Sequence, residues 1–264
     1  CSPSCGESEL DAYFIPDECL ADEFAGQGIP RRKLVASGIP IRQAFYASVE
    51  REAAKASLSL PPDCRHLLIM SGSMGCGPIP TLVRLIAGGM SEECRVSVVC
   101  GSNQRLYRAM EQEYAGDPRV QILGYRKDVP LLMDSADLYM TKPGGISTTE
   151  AASKRLPMVL VNAVAGCETY NMRYFIHLGA AATADTPEEL AGLALALLTD
   201  PAELGRMSDA YRSPPPPPPP PALVPPPPRG PPPGARPRGP PLRNPAAPVC
   251  HEIHQPPHRR LRRQ

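Results

Sequence analysis

The residues best suited to chemistry lie between positions 137 and 151, in the segment Asp-Leu-Tyr-Met-Thr-Lys-Pro-Gly-Gly-Ile-Ser-Thr-Thr-Glu-Ala. An apolar strand runs here into a glycine turn that opens a helix. Gly144 and Gly145 carry no Cβ, so a ligand can approach the backbone closely, and the helix presents unpaired N–H groups and the positive end of its dipole. Glu150 falls about one and a half turns into this helix, where a carboxylate can accept hydrogen bonds from the two hydroxyls of a ribose. The segment therefore predicts a site for a nucleoside diphosphate.

A second glycine segment, Ser71-Gly72-Ser73-Met74-Gly75-Cys76-Gly77-Pro78, also follows an apolar strand and precedes a helix. Pro78 suits the first turn of that helix. No Lys-Ser or Lys-Thr follows the last glycine, which excludes the P-loop of nucleoside triphosphatases. Taken alone, the segment indicates no more than a tight strand-to-helix turn, but two such turns at one edge of a sheet favour a phosphate site.

The elements that position these turns alternate between short apolar strands and amphipathic helices. Strands that are apolar on both faces imply a parallel sheet covered on two sides, and right-handed crossovers make this a doubly wound α/β fold. Ligands bind such folds at the carboxyl ends of the strands, where both glycine turns lie. The predicted strands cover residues 65–70, 95–100, 120–123, 138–141, 158–161 and 180–183.

Composition divides the chain into three parts. Residues 1–40, with short strands at 11–15 and 33–36, are predicted to be the remnant of an amino-terminal domain with an inter-domain segment, so that the chain is a fragment. Residues 41–212 form the globular, ligand-binding domain. Residues 213–264 contain 22 of the 36 prolines, and we expect this tail to be disordered. The tail is either a ligand for proline-binding domains or the product of out-of-frame translation, which we favour.

The sequence gives no reason to expect a metal ion, a cofactor or a nucleic-acid partner. The nine cysteines form no Cys-x-x-Cys pair, which argues against zinc, and Asp134 and Asp137 are not expected to hold a metal. His66 and His177 are expected to be structural. The tail carries a net charge of +7 and residues 1–212 carry −6, which sum to the chain's +1. The basic tail therefore does not indicate nucleic-acid binding by the folded part. No apolar run approaches the length that spans a bilayer.

With these segments in view, the chain resembles the nucleotide-sugar-dependent glycosyltransferases of the two-domain GT-B type. The resemblance is to the branch of monogalactosyldiacylglycerol synthase and processive diacylglycerol glucosyltransferase, and in particular to the family 28 carboxyl-terminal domain, which is Rossmann-like. It covers nearly all of residues 10 to 200. The motifs that carry it, in order, are Gly38-Ile39-Pro40-Ile41, Gly72-Ser73-Met74-Gly75, Val99-Cys100-Gly101-Ser102-Asn103, Gly124-Tyr125, Ala136-Asp137-Leu138, Thr141-Lys142-Pro143-Gly144-Gly145, Glu150-Ala151, and Glu168 with Asn171.

The resemblance implies roles for the first turn and its helix. Glu150 would bind the ribose hydroxyls of UDP. The backbone N–H groups of Gly144, Gly145 and Ile146 would bind the diphosphate. The resemblance assigns no role to Lys142 beside them, which could pair with a phosphate or remain solvated.

The resemblance also implies the remaining walls of the site. Tyr125 and Arg126 would border the uracil, mainly through backbone atoms. Glu168 and Asn171 would face the sugar. The residues of the second glycine segment that would approach the phosphates are Ser73, Met74 and Gly75.

The chain departs from the family pattern in two places. Ala165-Gly166-Cys167-Glu168 stands where the family usually has Pro-Gly-Gln-Glu, so a thiol replaces an amide that would hydrogen-bond the hexose. The catalytic base and the acceptor-lipid surface of the family belong to an amino-terminal domain. We therefore assign no catalytic residue in this chain and expect it to be inactive alone.

These observations predict a hexosyltransferase fragment that binds a UDP-sugar donor as co-substrate. The intact protein would transfer the hexose to diacylglycerol at the inner, cytoplasmic face of the cell membrane, with peripheral membrane contact. The alternatives are a peptidoglycan lipid-precursor N-acetylglucosaminyltransferase and a non-catalytic nucleotide-binding remnant.

Overall fold

The computed structural model describes residues 10–70, 78–161 and 167–211, without the side chains of Cys19 and Cys167. The predicted tail at 213–264 lies outside these ranges, as does the second glycine segment from Ser71 to Gly77. The disorder predicted for the tail therefore remains a prediction.

The strands form two parallel sheets, one of two strands and one of six. Tyr13–Ile15 (β1) pairs with Leu34–Ala36 (β2) in the small sheet. The strands of the large sheet are, in chain order, Arg65–Met70 (β3), Cys94–Val99 (β4), Val120–Leu123 (β5), Leu138–Thr141 (β6), Met158–Leu160 (β7) and Ala181–Ala182 (β8).

Nine α-helices connect and cover the strands in the part of the chain that the structure describes. They are, in chain order, Ala21–Gly26 (α1), Arg51–Ser57 (α2), Ile79–Gly89 (α3), Gln104–Tyr114 (α4), Val129–Ser135 (α5), Gly145–Ser153 (α6), Cys167–Leu178 (α7), Pro187–Leu198 (α8) and Pro201–Asp209 (α9). Short 3₁₀ turns at Glu18–Leu20, Arg31–Lys33 and Gln43–Phe45 complete the described elements.

The large sheet has the strand order β5-β4-β3-β6-β7-β8, and all neighbouring strands are parallel. The chain thus builds outward from β3 to one edge, then returns to β6 and builds to the other. This is a doubly wound order, and it confirms the predicted fold class. The switch point lies between β3 and β6, so ligands are expected at the carboxyl ends of these two strands.

Alternate residues of the strands supply two apolar cores, one on each face of the sheet. Leu67 and Ile69 of β3 pack on the side of α3, α4 and α8, whereas Leu68 packs on the side of α5, α6 and α7. All three side chains are fully buried. Burial on both faces explains why the strands are apolar runs, without the polar alternation of a half-exposed sheet.

Side-chain caps define where α8 and α9 begin. Thr186 accepts a hydrogen bond from the backbone of Glu189, and the Glu189 carboxylate accepts one from the backbone of Thr186, which together form a capping box at the start of α8. Asp200 accepts from the backbone N–H of Glu203 at the start of α9. These caps satisfy backbone N–H groups at the starts of α8 and α9.

Candidate functional site

The site begins at the switch point of the large sheet. Met70, the last residue of β3, is the register partner of Thr141, the last residue of β6. The strands that precede the two glycine segments therefore end next to each other, at the same edge of the sheet. Ser73, Met74 and Gly75 of the second segment lie outside the described residues, so their predicted contact with phosphates remains a prediction.

The turn after β6 leads directly into α6. Gly144 has extended backbone angles, φ −73° and ψ 136°, and serves as the N-cap, and its carbonyl accepts from the Thr148 N–H at 3.0 Å. The Gly144 N–H, which was predicted to bind the diphosphate, donates instead to the Lys142 carbonyl at 2.8 Å. The backbone N–H groups of Gly145, Ile146 and Ser147 have no acceptor among the described residues. No acidic side chain lies in this first turn. The positive end of α6 is thus open to an anion.

The neighbouring side chains leave little room for a Cβ at Gly145. A Cβ on Gly145 would lie 3.2 Å from Ile39 Cδ1 and 3.6 Å from Asn171 Nδ2. The segment before the domain and helix α7 therefore both pack against the start of α6. The turn is therefore bounded by side chains of residues that are distant in sequence.

Glu150 lies on α6 and is only 9% exposed. Burial raises the pKa of its carboxyl group above the ordinary value, and the nearby Arg42 guanidinium opposes that increase. Arg42 Nε lies 3.9 Å from Glu150 Oε1, and the Arg42 guanidinium also stacks over the Phe45 ring at 5.0 Å from its centroid. A mostly buried carboxylate with one cation beside it can accept hydrogen bonds from neutral hydroxyls.

Glu168 and Asn171 of α7 are brought to the same turn. Lys142 Nζ donates to Glu168 Oε1 at 2.8 Å, and Asn171 Nδ2 donates to the Pro143 carbonyl at 3.0 Å. Glu168 is 8% exposed. The structure therefore brings Glu168 and Asn171 to the turn that contains Gly144 and Gly145. Ile146 and Glu150 lie on the helix that follows this turn.

Tyr125 and Arg126 follow β5, at the same edge of the sheet but three strand spacings from β6, about 14 Å. Tyr125 is 71% exposed. Arg126 Nε donates to Asp128 Oδ1 at 2.8 Å, so its guanidinium is held at the start of α5. The predicted contact of these two residues with a base remains a prediction.

The sequence did not predict three residues near the site, Arg42, Tyr139 and Thr141. Arg42 beside Glu150 lies over 100 positions away from it in the chain, and only packing reveals the pair. Tyr139 Oη and Thr141 Oγ1 are buried without a hydrogen-bond partner among the described residues. The sequence contains a signal for these two residues, because Tyr139 and Thr141 are polar and stand two positions apart in the otherwise apolar β6.

His66 lies in the core and is not part of the site. His66 is fully buried, with Nε2 2.9 Å from Ser97 Oγ and Nδ1 3.0 Å from Ser135 Oγ. Burial lowers the pKa of His66 to about 4. These contacts agree with the predicted structural role, since the ring has no path to a ligand at the turn.

A cleft at the opposite edge of the sheet, at the amino ends of the strands, carries a cluster of charges. Its lining includes Arg51, Lys55 and Asp137. Arg51 Nη1 and Lys55 Nζ lie 2.8 and 3.1 Å from the Asp137 carboxylate, which also accepts from the His66 N–H at 2.8 Å. Asp134 pairs in turn with the buried Lys154. The charges of this region therefore stabilise the fold by pairing with one another.

Two further features concern metals and membranes. Within residues 10–70, 78–161 and 167–211, no three His, Cys, Asp or Glu side chains come together as metal ligands would. Over the same residues, each helix is too short or too polar to cross a membrane.

Comparison with known proteins gives consistent matches. The model of the glycosyltransferase family 28 C-terminal domain matches residues 66–212. The processive diacylglycerol beta-glucosyltransferase of Staphylococcus saprophyticus is 34% identical over 199 residues, which cover 75% of this chain and 51% of that protein. The chain spans about half the length of the curated relatives it matches.

Solved structures share the fold at low sequence identity. An S. aureus MnaA–UDP co-structure aligns with a TM-score of 0.60 and 17% identity over 78% of this chain and 56% of that one. The structure of Anabaena HepE in complex with UDP and glucose aligns with a TM-score of 0.54 and 16% identity over 77% of this chain and 57% of that one.

Proposed function

We propose a donor-binding role for this chain from the premise that it belongs to the glycosyltransferase family 28 C-terminal domain family. The donor is a UDP-sugar, and the turn after β6 is its diphosphate site. The observation that carries the proposal is the convergence of an open helix N-terminus at Gly145 with the shielded carboxylate of Glu150 on the same helix.

Each part of the donor has a matching group. The N–H groups of Gly145, Ile146 and Ser147 bind the diphosphate. Glu150, farther along α6, accepts hydrogen bonds from the ribose hydroxyls. The sugar faces Glu168 and Asn171 of α7, and the uracil reaches toward Tyr125 and Arg126 beyond β5.

Sugar transfer requires stabilisation of the departing diphosphate and removal of a proton from the acceptor hydroxyl. The first role falls to the amides and dipole at the start of α6, which are oriented before the reaction begins. For the second role we assign no residue of this chain. A base would come from another part of a longer protein that carries the acceptor.

The names of the relatives and the ligands of the structural neighbours support the donor and acceptor. The Staphylococcus relative is a diacylglycerol glucosyltransferase, and the HepE structure contains UDP and glucose. The proposed reaction transfers a hexose to diacylglycerol to give a membrane glycolipid. The proposed location is the cytoplasmic side of the cell membrane, with peripheral contact.

The test is calorimetric titration of the full chain with UDP, ADP and uridine. We expect UDP to bind more tightly than ADP, because the uracil edge is read at the β5 end of the site. We also expect UDP to bind more tightly than uridine, because the diphosphate meets the α6 amides. Equal affinity for UDP and ADP would contradict the uridine assignment, and no binding of any of the three would contradict the proposed function.

The acceptor is tested separately, with the full-length gene product and vesicles that contain diacylglycerol. Transfer of labelled glucose from UDP-glucose to diacylglycerol supports the proposal. Transfer only from UDP-N-acetylglucosamine to a peptidoglycan lipid precursor would replace it with the alternative acceptor class.

A further inference from the structure

Two hydroxyl groups lie in the interior of the domain, beneath the helix that carries Glu150. Tyr139 and Thr141 stand two positions apart on β6 and so lie on the same face of the sheet. Both side chains are fully buried, and neither Tyr139 Oη nor Thr141 Oγ1 has a hydrogen-bond partner among the described residues. Tyr139 packs in the same apolar core as Ala151 of α6. The helix α6 therefore covers the face on which the two hydroxyls lie.

A buried hydroxyl without a partner is costly. It loses its hydrogen bonds to water on folding and gains none in return, and buried polar groups in proteins nearly always have a partner. A phenylalanine and a valine would fill almost the same space as Tyr139 and Thr141 without that cost. Two such hydroxyls on one face of one strand therefore indicate a partner that they share.

Glu150 acts on Tyr139 across this interior. Burial is the main cause that raises the pKa of the Tyr139 hydroxyl far above its ordinary value; the Thr141 hydroxyl opposes the increase, and the negative charge of Glu150 adds to it. The Glu150 carboxylate has Arg42 Nε at 3.9 Å and accepts no hydrogen bond from the described residues. The interior thus contains two hydroxyl donors without an acceptor and, within electrostatic range, an acceptor without a donor.

A single buried water molecule can connect the three groups. Buried waters in proteins typically make about three hydrogen bonds, to polar groups that would otherwise be unpaired. Tyr139 Oη can donate to such a water, and the water can donate to Thr141 Oγ1 and to the Glu150 carboxylate. An ionised carboxylate accepts about four hydrogen bonds, so this contact leaves other positions for a ligand.

We propose that Tyr139 and Thr141 are positioning residues for Glu150, and that they hold its carboxylate toward the ribose through one shared buried water. The proposal rests on the proposed function, because it assumes that Glu150 binds the ribose hydroxyls. Tyr139 and Thr141 do not touch the donor, since both side chains are fully buried. They act through Glu150, by restricting its side chain and by stabilising its ionised form.

The charged groups around α6 do not obscure this effect. Burial raises the pKa of Glu150, and Arg42 opposes the increase. Two ion pairs lie on the elements around Glu150, Lys154 with Asp134 and Lys142 with Glu168. All of these groups stay unchanged when only the Tyr139 hydroxyl is removed, so a change in the Glu150 pKa then reports the proposed contact.

The first experiment measures the pKa of the Glu150 carboxyl group in the full chain by ¹³C NMR, with its resonance identified by its loss in Glu150→Gln. The variants are Tyr139→Phe, Thr141→Val and Thr141→Ser, and thermal melting verifies that each is folded. Tyr139→Phe and Thr141→Val should raise the Glu150 pKa by about half a pH unit or more, because the ionised form loses a hydrogen bond. Thr141→Ser keeps a hydroxyl and should leave the Glu150 pKa near that of the wild type.

Tyr114 of α4 provides the matched control. Its hydroxyl oxygen is also buried without a hydrogen-bond partner among the described residues, and it packs against the core on the other face of the sheet. Tyr114→Phe therefore removes the same group away from Glu150. It should change neither the Glu150 pKa nor the affinity for UDP.

The second experiment compares two ligands by calorimetry at neutral pH, UDP and 2′,3′-dideoxyuridine diphosphate, which lacks both ribose hydroxyls. Tyr139→Phe and Thr141→Val should weaken UDP binding about threefold or more, because Glu150 is held less firmly toward the ribose. Binding of the dideoxy ligand should change less than about twofold, since it offers Glu150 no hydroxyl. Thr141→Ser should bind both ligands as the wild type does.

The outcomes separate this inference from the proposed function. If the hydroxyls had no such role, Tyr139→Phe would be more stable than the wild type and would keep both the Glu150 pKa and the UDP affinity. That result, or equal losses for the two ligands, overturns the positioning role and leaves the donor site intact. If Tyr139→Phe does not fold, Thr141→Val and Thr141→Ser decide: the same Glu150 pKa and UDP affinity in both overturns the role. Absence of UDP binding in the wild-type chain overturns the proposed function and the ribose role together.

Discussion

Met70 and Thr141 face each other as register partners at the ends of β3 and β6. Because these strands are parallel and adjacent, the segments that follow them start about 5 Å apart. This one pairing places the ends of the strands that precede the two glycine segments at the switch point of a doubly wound sheet. The donor site proposed here depends on it, since a diphosphate must reach the end of β6 while its nucleoside extends toward β5.

The first prediction concerns the acid on α6. Replacing Glu150 with Gln should weaken UDP binding by about 1–3 kcal/mol, because the ribose hydroxyls lose an ionised acceptor. Calorimetry of the folded variant measures the change. Glu52→Gln, at an exposed position of α2, is the matched control and should leave the affinity unaltered. An unchanged affinity in Glu150→Gln would remove its assigned role.

The second prediction concerns the pH dependence of UDP binding. Burial raises the pKa of Glu150 and Arg42 opposes the increase, so Arg42→Gln should raise that pKa further. As pH falls, the variant should lose UDP affinity at a higher pH than the wild type, while the two should agree in mildly alkaline buffer. A parallel loss at every pH would instead indicate direct contact between Arg42 and UDP. Arg32→Gln, at an exposed 3₁₀ turn, serves as the control.

The third prediction compares two helical glycines. A Cβ on Gly192, in the middle of α8, would meet no atom within 4 Å, so Gly192→Ala should stabilise the chain by about 0.5–1 kcal/mol. A Cβ on Gly89, at the end of α3, would lie 2.7 Å from Leu195 Cδ1. Gly89→Ala should therefore be less stable than Gly192→Ala, because the Leu195 methyl must move to make room for the new Cβ between α3 and α8. Urea unfolding measures both, and equal stabilities would contradict the packing described for these helices.

The fourth prediction concerns His66 and the pH dependence of stability. Its folded-state pKa is lowered to about 4 by burial, below the ordinary value of about 6.5 in the unfolded chain. Below pH 6.5 the unfolded chain binds a proton that the native ring does not, so stability falls as the pH drops toward 4. The loss attributable to His66 approaches about 3 kcal/mol.

The variant His66→Gln isolates this contribution. Asp137 and Lys55, whose charges act on His66 in opposite directions, remain in both proteins. The stability of the variant should vary less between pH 6.5 and pH 4.5 than that of the wild type. Parallel curves in urea unfolding would show that His66 does not carry the effect.

Much of the fold was predictable because its strands are continuous apolar runs separated by amphipathic helices. The predicted bounds of β3, β5 and β6 agree with the structure. The predictions were less accurate where tertiary packing decides. The strand expected at 180–183 has only two residues, Ala181–Ala182.

The candidate site was predictable only in part. Glycines and a glutamate at helical spacing are local signals, and they identified the turn after β6. The contacts of Glu168 with Lys142 and of Glu150 with Arg42 join residues distant in the chain. Such pairs depend on how α7 and the segment before α2 pack on α6, which no local pattern encodes.

The central claim is tested most directly by titrating the ¹⁵N-labelled chain with UDP and following the backbone amide resonances. The site described here predicts the largest shifts at Gly145, Ile146 and Ser147, whose N–H groups open the α6 helix. Small or absent shifts there, with the largest changes near Arg51 and Arg65 in the cleft at the amino ends of the strands, would contradict it.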